Sequence, residues 1–277
     1  MSLLILEKAP RRRLAITLWL SAAMLLMVIL WAMFPGGFSH QDPLSGDALQ
    51  ALQPPSAAHW FGTDHLGRDI YTRSVYGTAL TLQATLFSVA IALLLGTLIG
   101  VLAGYAGGRT DSLLMRLIDI LLAIPNLLLA MAIITVLGFG TLNIAVAVGL
   151  SSVATFARLS RGEVLRSRTH LFVEAARASG VGHLTIIQRH ILPHAMAPVL
   201  SLAALELGFA LLSVSALSFL GFGAPPPQPE WGLLIAEGRN YIAAAWWYTT
   251  LPGMIIVLSV LATNRIAGFI QDSAEKI

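Results

Sequence analysis

Hydrophobic positions along this chain gather into long runs, not into the alternation of strands or the narrow stripes of surface helices. Six runs approach the roughly 20 apolar residues that a helix needs to cross a bilayer. They lie at about 14–34, 78–104, 113–137, 142–158, 196–221 and 248–269. The first follows Arg11, Arg12 and Arg13, as a signal peptide would. However, "LAITLWLSAAMLLMVILWAMF" is longer than a signal core and no small-x-small site follows it, so a retained span is expected. The pattern predicts an all-α integral membrane protein, a single domain over 1–277 with six transmembrane helices.

Between the runs, two segments are rich in helix breakers. Residues 35–60 contain Pro35, Pro43, Pro54 and Pro55, and "APPPQPEWG" (224–232) cannot continue a helix, because proline lacks the amide donor and clashes with the preceding turn. "GTDHLGRDIYTR" (62–73) spaces Asp64, Arg68, Asp69 and Arg73 for pairing along an amphipathic helix on the outer membrane surface. "WWY" (246–248) is placed as an aromatic interface belt would be. Gly96, Gly100 and Gly104 recur every fourth residue, the spacing of a close helix seam, either within the chain or against a second subunit.

Charge orients the spans. With the N-terminus in the cytoplasm, fourteen of the 17 basic residues fall on the inside, leaving only Arg68, Arg73 and Arg239 outside. The positive-inside rule therefore places both termini in the cytoplasm and residues 35–77 and 222–247 outside. Only 11% of residues are charged against 56% hydrophobic, too few to cover a soluble surface, so membrane lipid is part of the solvent. Topology accounts for the net charge of +3, and no nucleic-acid partner is implied. The absence of cysteine excludes disulfides and thiolate sites.

One polar segment interrupts this pattern, the cytoplasmic loop 159–195. In "EAARASGVGHLTIIQRHILP" (174–193), Glu174, Ala175 and Ala176 favour a short helix and Gly180 suits its left-handed cap. A second short helix is expected over 183–190, stopped by Pro193. A rigid helix displayed on a loop this long suits a groove on another protein. Inside the spans, Asp119 is expected in a local pair with Arg116 or an interhelical contact. Glu206, within the fifth span, faces either a translocation pathway or another helix. His190 and His194 have helical spacing, but the seven histidines form no recognisable metal cage. The chain has only two lysines, Lys8 and Lys276, and neither follows a glycine, so there is no G-x-x-x-x-G-K-[ST] phosphate loop. An ATP-consuming motor would be a separate polypeptide.

Glu174-Ala175-Ala176, Gly180 and Ile191-Leu192-Pro193 resemble the EAA loop of ABC-importer permeases. "GTDHLGRDIYTR", "MRLIDILLAIP", "LSFLGFG", "PEWG" and "PGMIIVLSVLATN" are similar to the second permease subunit of dipeptide, oligopeptide and nickel importers, over about residues 59–264. The resemblance implies a type I importer permease of the bacterial inner membrane. Its partners would be a homologous second permease, two ATPase subunits docked on the loop and an external solute-binding protein. It implies no cofactor on this chain, with ATP and magnesium held by the ATPases. Peptide-type relatives carry an acid where this chain has Val214; an acid at Glu206 instead resembles the nickel-type branch. Nickel or another metal chelate is therefore the expected cargo, with di- or oligopeptides as the alternative and an ion-coupled secondary transporter as a distant one. The C-terminus departs from the family pattern, keeping only Asn264 and Asp272 in register.

Overall fold

The computed structural model describes residues 11–274, with side chains over 16–271; Lys8 and Lys276 lie outside the described residues. Every named element among them is helical, and the extended pairing consists of one isolated bridge, Thr63 with Asp69. The long helices are α1 (Arg11–Met33), α2 (Ile70–Ala106), α5 (Thr141–Ser167), α8 (Leu192–Phe219) and α10 (Trp247–Ala274). Shorter ones are α3 (Gly108–Leu122), α4 (Asn126–Leu137), α6 (Leu171–Ala178), α7 (His183–Ile186) and α9 (Trp231–Gly238).

Among the described residues five helices are long and apolar enough to cross a membrane, and the bent pair α3–α4, counted as one span, makes six. The expected third span, 113–137, is therefore not one straight helix: α3 and α4 meet at 96°. Pro125 explains the break, since it restricts Ile124 before it and cannot supply an amide to the α3 ladder. The second span begins earlier than expected, at Ile70, and the fourth continues to Ser167, so the first nine residues of the expected loop 159–195 belong to α5.

α2 and α5 form the central pair. A Cβ built on Gly96 would lie 2.7 Å from the Val153 carbonyl, one on Gly100 2.5 Å from the Ala157 carbonyl, and one on Gly104 3.0 Å from the Arg161 carbonyl. The paired numbers rise together, so the helices run parallel with their backbones almost touching. The glycine seam thus lies within the chain. α4 and α8 close an apolar core over it, with Ile134, Ile144, Val214 and Leu217 all buried. Val214 is fully buried in that cluster.

At the N-terminal end of α2 the structure differs from the amphipathic surface helix expected over 62–73. Residues 62–69 form tight turns, and α2 starts only after Asp69, whose carboxylate caps it by accepting from the Thr72 amide at 2.7 Å. Asp64, Arg68 and Arg73 are buried. Asp64 accepts from Arg68 Nε at 2.6 Å, and Glu237 of α9 accepts from Arg73 Nη2 at 3.0 Å and from Tyr248 Oη at 3.2 Å. Two carboxylates facing two guanidiniums leave no net charge to desolvate, which is what permits burial. The pairing is real, but it ties loop to α9 and α10 instead of lining a membrane surface. Only Trp246 of "WWY" is exposed; Trp247 and Tyr248 are buried, so the triplet is not an interface belt.

The proline-rich stretch is non-helical over 224–230 as expected, but its last two residues, Trp231 and Gly232, already open α9. Glu230 caps α9, accepting from the Gly232 amide at 3.1 Å and the Leu233 amide at 2.9 Å. Burial pushes its carboxyl above the ordinary range, against the pull of those donors.

Gly100→Val should force α2 away from α5 and cost about 1–3 kcal/mol, the usual penalty of overpacking. Thermal unfolding of the detergent-solubilised protein should show a lowered midpoint, whereas the same change at exposed Gly162, with nothing within 4 Å of a built Cβ, should be much milder.

Candidate functional site

The polar elbow is built as a clamp on the C-terminal ends of α2 and α5. α6 contains Glu174, Ala175 and Ala176 and ends as the sequence predicts. Gly180 takes φ +79°, its amide donates to the Arg177 carbonyl at 3.0 Å, and the Val181 amide reaches the Ala176 carbonyl at 3.1 Å. This pair of bonds is the Schellman arrangement, in which only glycine takes the left-handed position without strain.

The segment after Gly180 differs from expectation. Pro193 does not stop the helix: α7 passes through a π-helical turn, Ile187–Ile191, directly into α8, an unbroken helix from His183 to Phe219. The wider turn removes the clash that Pro193 would make with the carbonyl four residues back. His194 Nδ1 donates to the His190 carbonyl at 2.9 Å, supplying a local donor beside the proline. Pro193 therefore lies inside a continuous helix, in the first turn of α8, and is not a terminator.

One face of the elbow is anchored and the other is bare. Val173, Ile186 and Ile191 are fully buried against Val101 and Val164. Tyr105 Oη lies 2.7 Å from His183 Nδ1, the Arg177 guanidinium sits over the Tyr105 ring, and Arg168 donates to the Gly104 carbonyl at 2.9 Å. Facing away are Leu171 (83% exposed), Leu184 (66% exposed), Glu174 and Ala175. The candidate residues therefore divide: Ile191 and, in part, Leu192 and Ala176 fasten the elbow, while Glu174, Ala175 and Gly180 lie on its free side with Pro193. Leu171 and Leu184 were not singled out from sequence, because an exposed leucine looks there like any other apolar residue.

A second polar place lies in the middle of the bundle. Glu206 is 9% exposed, and its Oε2 has no hydrogen-bond partner. It lines a cavity of about 450 Å³ at the α3–α4 break, together with Pro125, Asn126, Ser151, Thr155 and Phe209. Asn126 Nδ2 donates to Ser152 Oγ at 3.3 Å, and its Oδ1 is buried without a partner. A carboxylate at such depth costs about 2.5–3.5 kcal/mol on insertion scales. Asp119, by contrast, pairs with Arg158 of α5 and not with Arg116, and both side chains are well exposed. Among the described residues no three His, Cys, Asp or Glu side chains group as metal ligands.

A family model described as the inner membrane component of binding-protein-dependent transport systems matches residues 96–276, and the chain belongs to that family. It is 39% identical over 252 residues to a probable D,D-dipeptide transport system permease protein of Escherichia coli, covering 91% of this chain and 85% of that one. It is 42% identical to a dipeptide transport system permease protein of Alkalihalophilus pseudofirmus (89% and 81% covered) and 37% identical to a glutathione transport system permease protein of Pectobacterium atrosepticum (96% and 87% covered). Among solved structures, an inward-facing methionine ABC transporter superposes with a TM-score of 0.57 at 19% identity, covering 74% of this chain and 94% of that chain, a likeness of fold. The protein is thus a multi-pass inner-membrane permease of a binding-protein-dependent ABC importer; it is not an enzyme, and the ATPase is a separate subunit. The named relatives carry dipeptides or glutathione, and none of these names supports the expectation of nickel.

Gly180→Val should strain the cap by about 1–2 kcal/mol, the cost of a side chain in the left-handed region. Limited proteolysis of the folded protein should then cut faster around 179–183, while cleavage elsewhere stays unchanged.

Proposed function

We propose that this chain is one of two homologous permease halves of a peptide importer, and that its α6–α7 elbow is the lever on which a separate ATPase acts. The observation that carries the reading is the two-sidedness of the elbow. Val173, Ile186 and Ile191 fix it to the transmembrane helices, while Leu171, Ala175 and Leu184 present a small apolar surface with Glu174 at its edge. Exposed leucines on two short helices joined at the Gly180 cap suit insertion into a groove on a soluble partner. ATP and magnesium belong to that partner, and an external binding protein would deliver the cargo to the opposite end. Glu174, Ala175, Ala176, Gly180, Ile191, Leu192 and Pro193 serve coupling, the first three and Gly180 by shaping the lever and the last three by joining it to α8.

For cargo, the likeness to dipeptide and glutathione permeases favours di- or oligopeptides. Metal chelates rest on Glu206 alone, which supplies one charge where a bare divalent ion calls for more ligands. Both termini, with the elbow, are assigned to the cytoplasm on the basic-residue asymmetry.

Two experiments test this. The chain has no cysteine, so a single cysteine placed at Ala175 should react with a membrane-impermeant reagent in inside-out vesicles and not in intact spheroplasts; the reverse pattern would refute the orientation. In proteoliposomes holding the full transporter, dipeptide uptake should require ATP, and Leu171→Asp with Leu184→Asp should reduce binding-protein-stimulated ATP hydrolysis by about tenfold or more. Uptake without nucleotide, or full stimulation in the double variant, would overturn the lever.

A further inference from the structure

Glu206 and Asn126 line the cavity at the α3–α4 break, and each has, beside the cavity, one buried acceptor with nothing to accept. Glu206 Oε2 and Asn126 Oδ1 are both shielded from solvent and unpartnered, on α8 and at the start of α4. Such atoms are costly to leave unmet in a low-dielectric interior, so a donor is expected to reach them during the working cycle. The break lines the same cavity: α3 ends at Leu122, α4 starts at Asn126, and unwound backbone at a discontinuous helix is tolerated where it lines a cavity.

We propose that this cavity is a transit site for the α-ammonium group of a peptide on its way through the permease, with Glu206 and Asn126 as its receptors. The inference rests on the peptide-importer reading and deepens it. A primary ammonium carries three donors and one positive charge. The site offers one carboxylate and neutral oxygens from Asn126, Ser151 and Thr155, so charge is matched by a monovalent group and not by a divalent ion. Ser151 Oγ donates to the Val148 carbonyl at 2.8 Å, which leaves its lone pairs free to accept. The volume, about 450 Å³, is within the range of small-ligand pockets. Leu202, Leu205 and Phe209 supply apolar wall without selecting a side chain. A site reading only the amino terminus suits a carrier whose cargo varies in sequence.

The test uses the complete transporter in proteoliposomes, with Ala-Ala as cargo. Glu206→Gln should lower ATP-driven uptake by roughly tenfold or more, the loss of a hydrogen bond to a charged group, while binding-protein-stimulated ATP hydrolysis stays within about twofold of the parent. Unchanged uptake, or a parallel loss of uptake and hydrolysis, would overturn the site. Because the variant can fail to assemble, the unmodified complex without its binding protein is also photolabelled by a dipeptide carrying a diazirine on its first residue. Adducts are expected within 121–126 and 202–209, displaced by Ala-Ala amide and not by N-acetyl-Ala-Ala. Adducts elsewhere, or equal displacement by both, would refute the assignment. A parent complex that moves no dipeptide at all would sink the peptide reading itself, which is a distinct result.

Discussion

The approach of α2 to α5 is the constraint on which the rest of the molecule depends. Lipid offers no hydrophobic incentive for two apolar helices to associate, so dispersion between closely fitted surfaces has to supply it. Gly96, Gly100 and Gly104 remove side chains along a whole stripe of α2, and α5 fills the space with its own backbone. Both helices are thereby held in parallel and in register. Their shared C-terminal end becomes a platform, and the elbow is fastened to that platform through Val101 and Val164. The cavity at mid-depth is likewise walled by α5, through Ser151 and Thr155. Loosening the seam would displace both at once.

The two polar places share a design in which irregular backbone is tolerated where it serves a purpose. At the α3–α4 break the ladder is interrupted beside a cavity, and at the π-helical turn it is widened beside a proline. Neither is supported by regular hydrogen bonding alone; each has a side chain nearby, Asn126 in one case and His194 in the other. The opposite end of the bundle is built the other way, with turns and short helices fixed by buried ion pairs among Asp64, Arg68, Arg73 and Glu237.

Much of this was legible in the sequence because the signals are local or one-dimensional. Apolar runs mark the long helices to within a few residues at most ends, and the Gly180 cap follows from the steric freedom of a single residue. What was illegible is what depends on a partner distant in sequence. Asp64, Arg68 and Arg73 have helical spacing, and only the arrival of Glu237 from α9 makes burial in turns more favourable than exposure on a helix. For Asp119 the sequence left a local pair and an interhelical contact open, and the contact with Arg158 of α5 is the second of these. Pro125 was a visible warning that the third span would break, overridden by the apolar run around it; Pro193 looked like a stop because a π-helical turn has no simple sequence signature. Glu206 stood out as a lone acid in an apolar run, whereas Asn126, Ser151 and Thr155 joined it only through folding.

The continuity of α7, the π-helical turn and α8 has a mechanical consequence. From His183 to Phe219 the helix runs through the π-helical turn, Pro193 and Pro198 without an intervening loop. Leu184 and Glu206 therefore sit on one element, about 33 Å apart along its axis at 1.5 Å per residue. In the proposed lever the yielding points are the π-helical turn and Pro198, where the regular ladder is interrupted, and the throw at Glu206 depends on how little those two points bend.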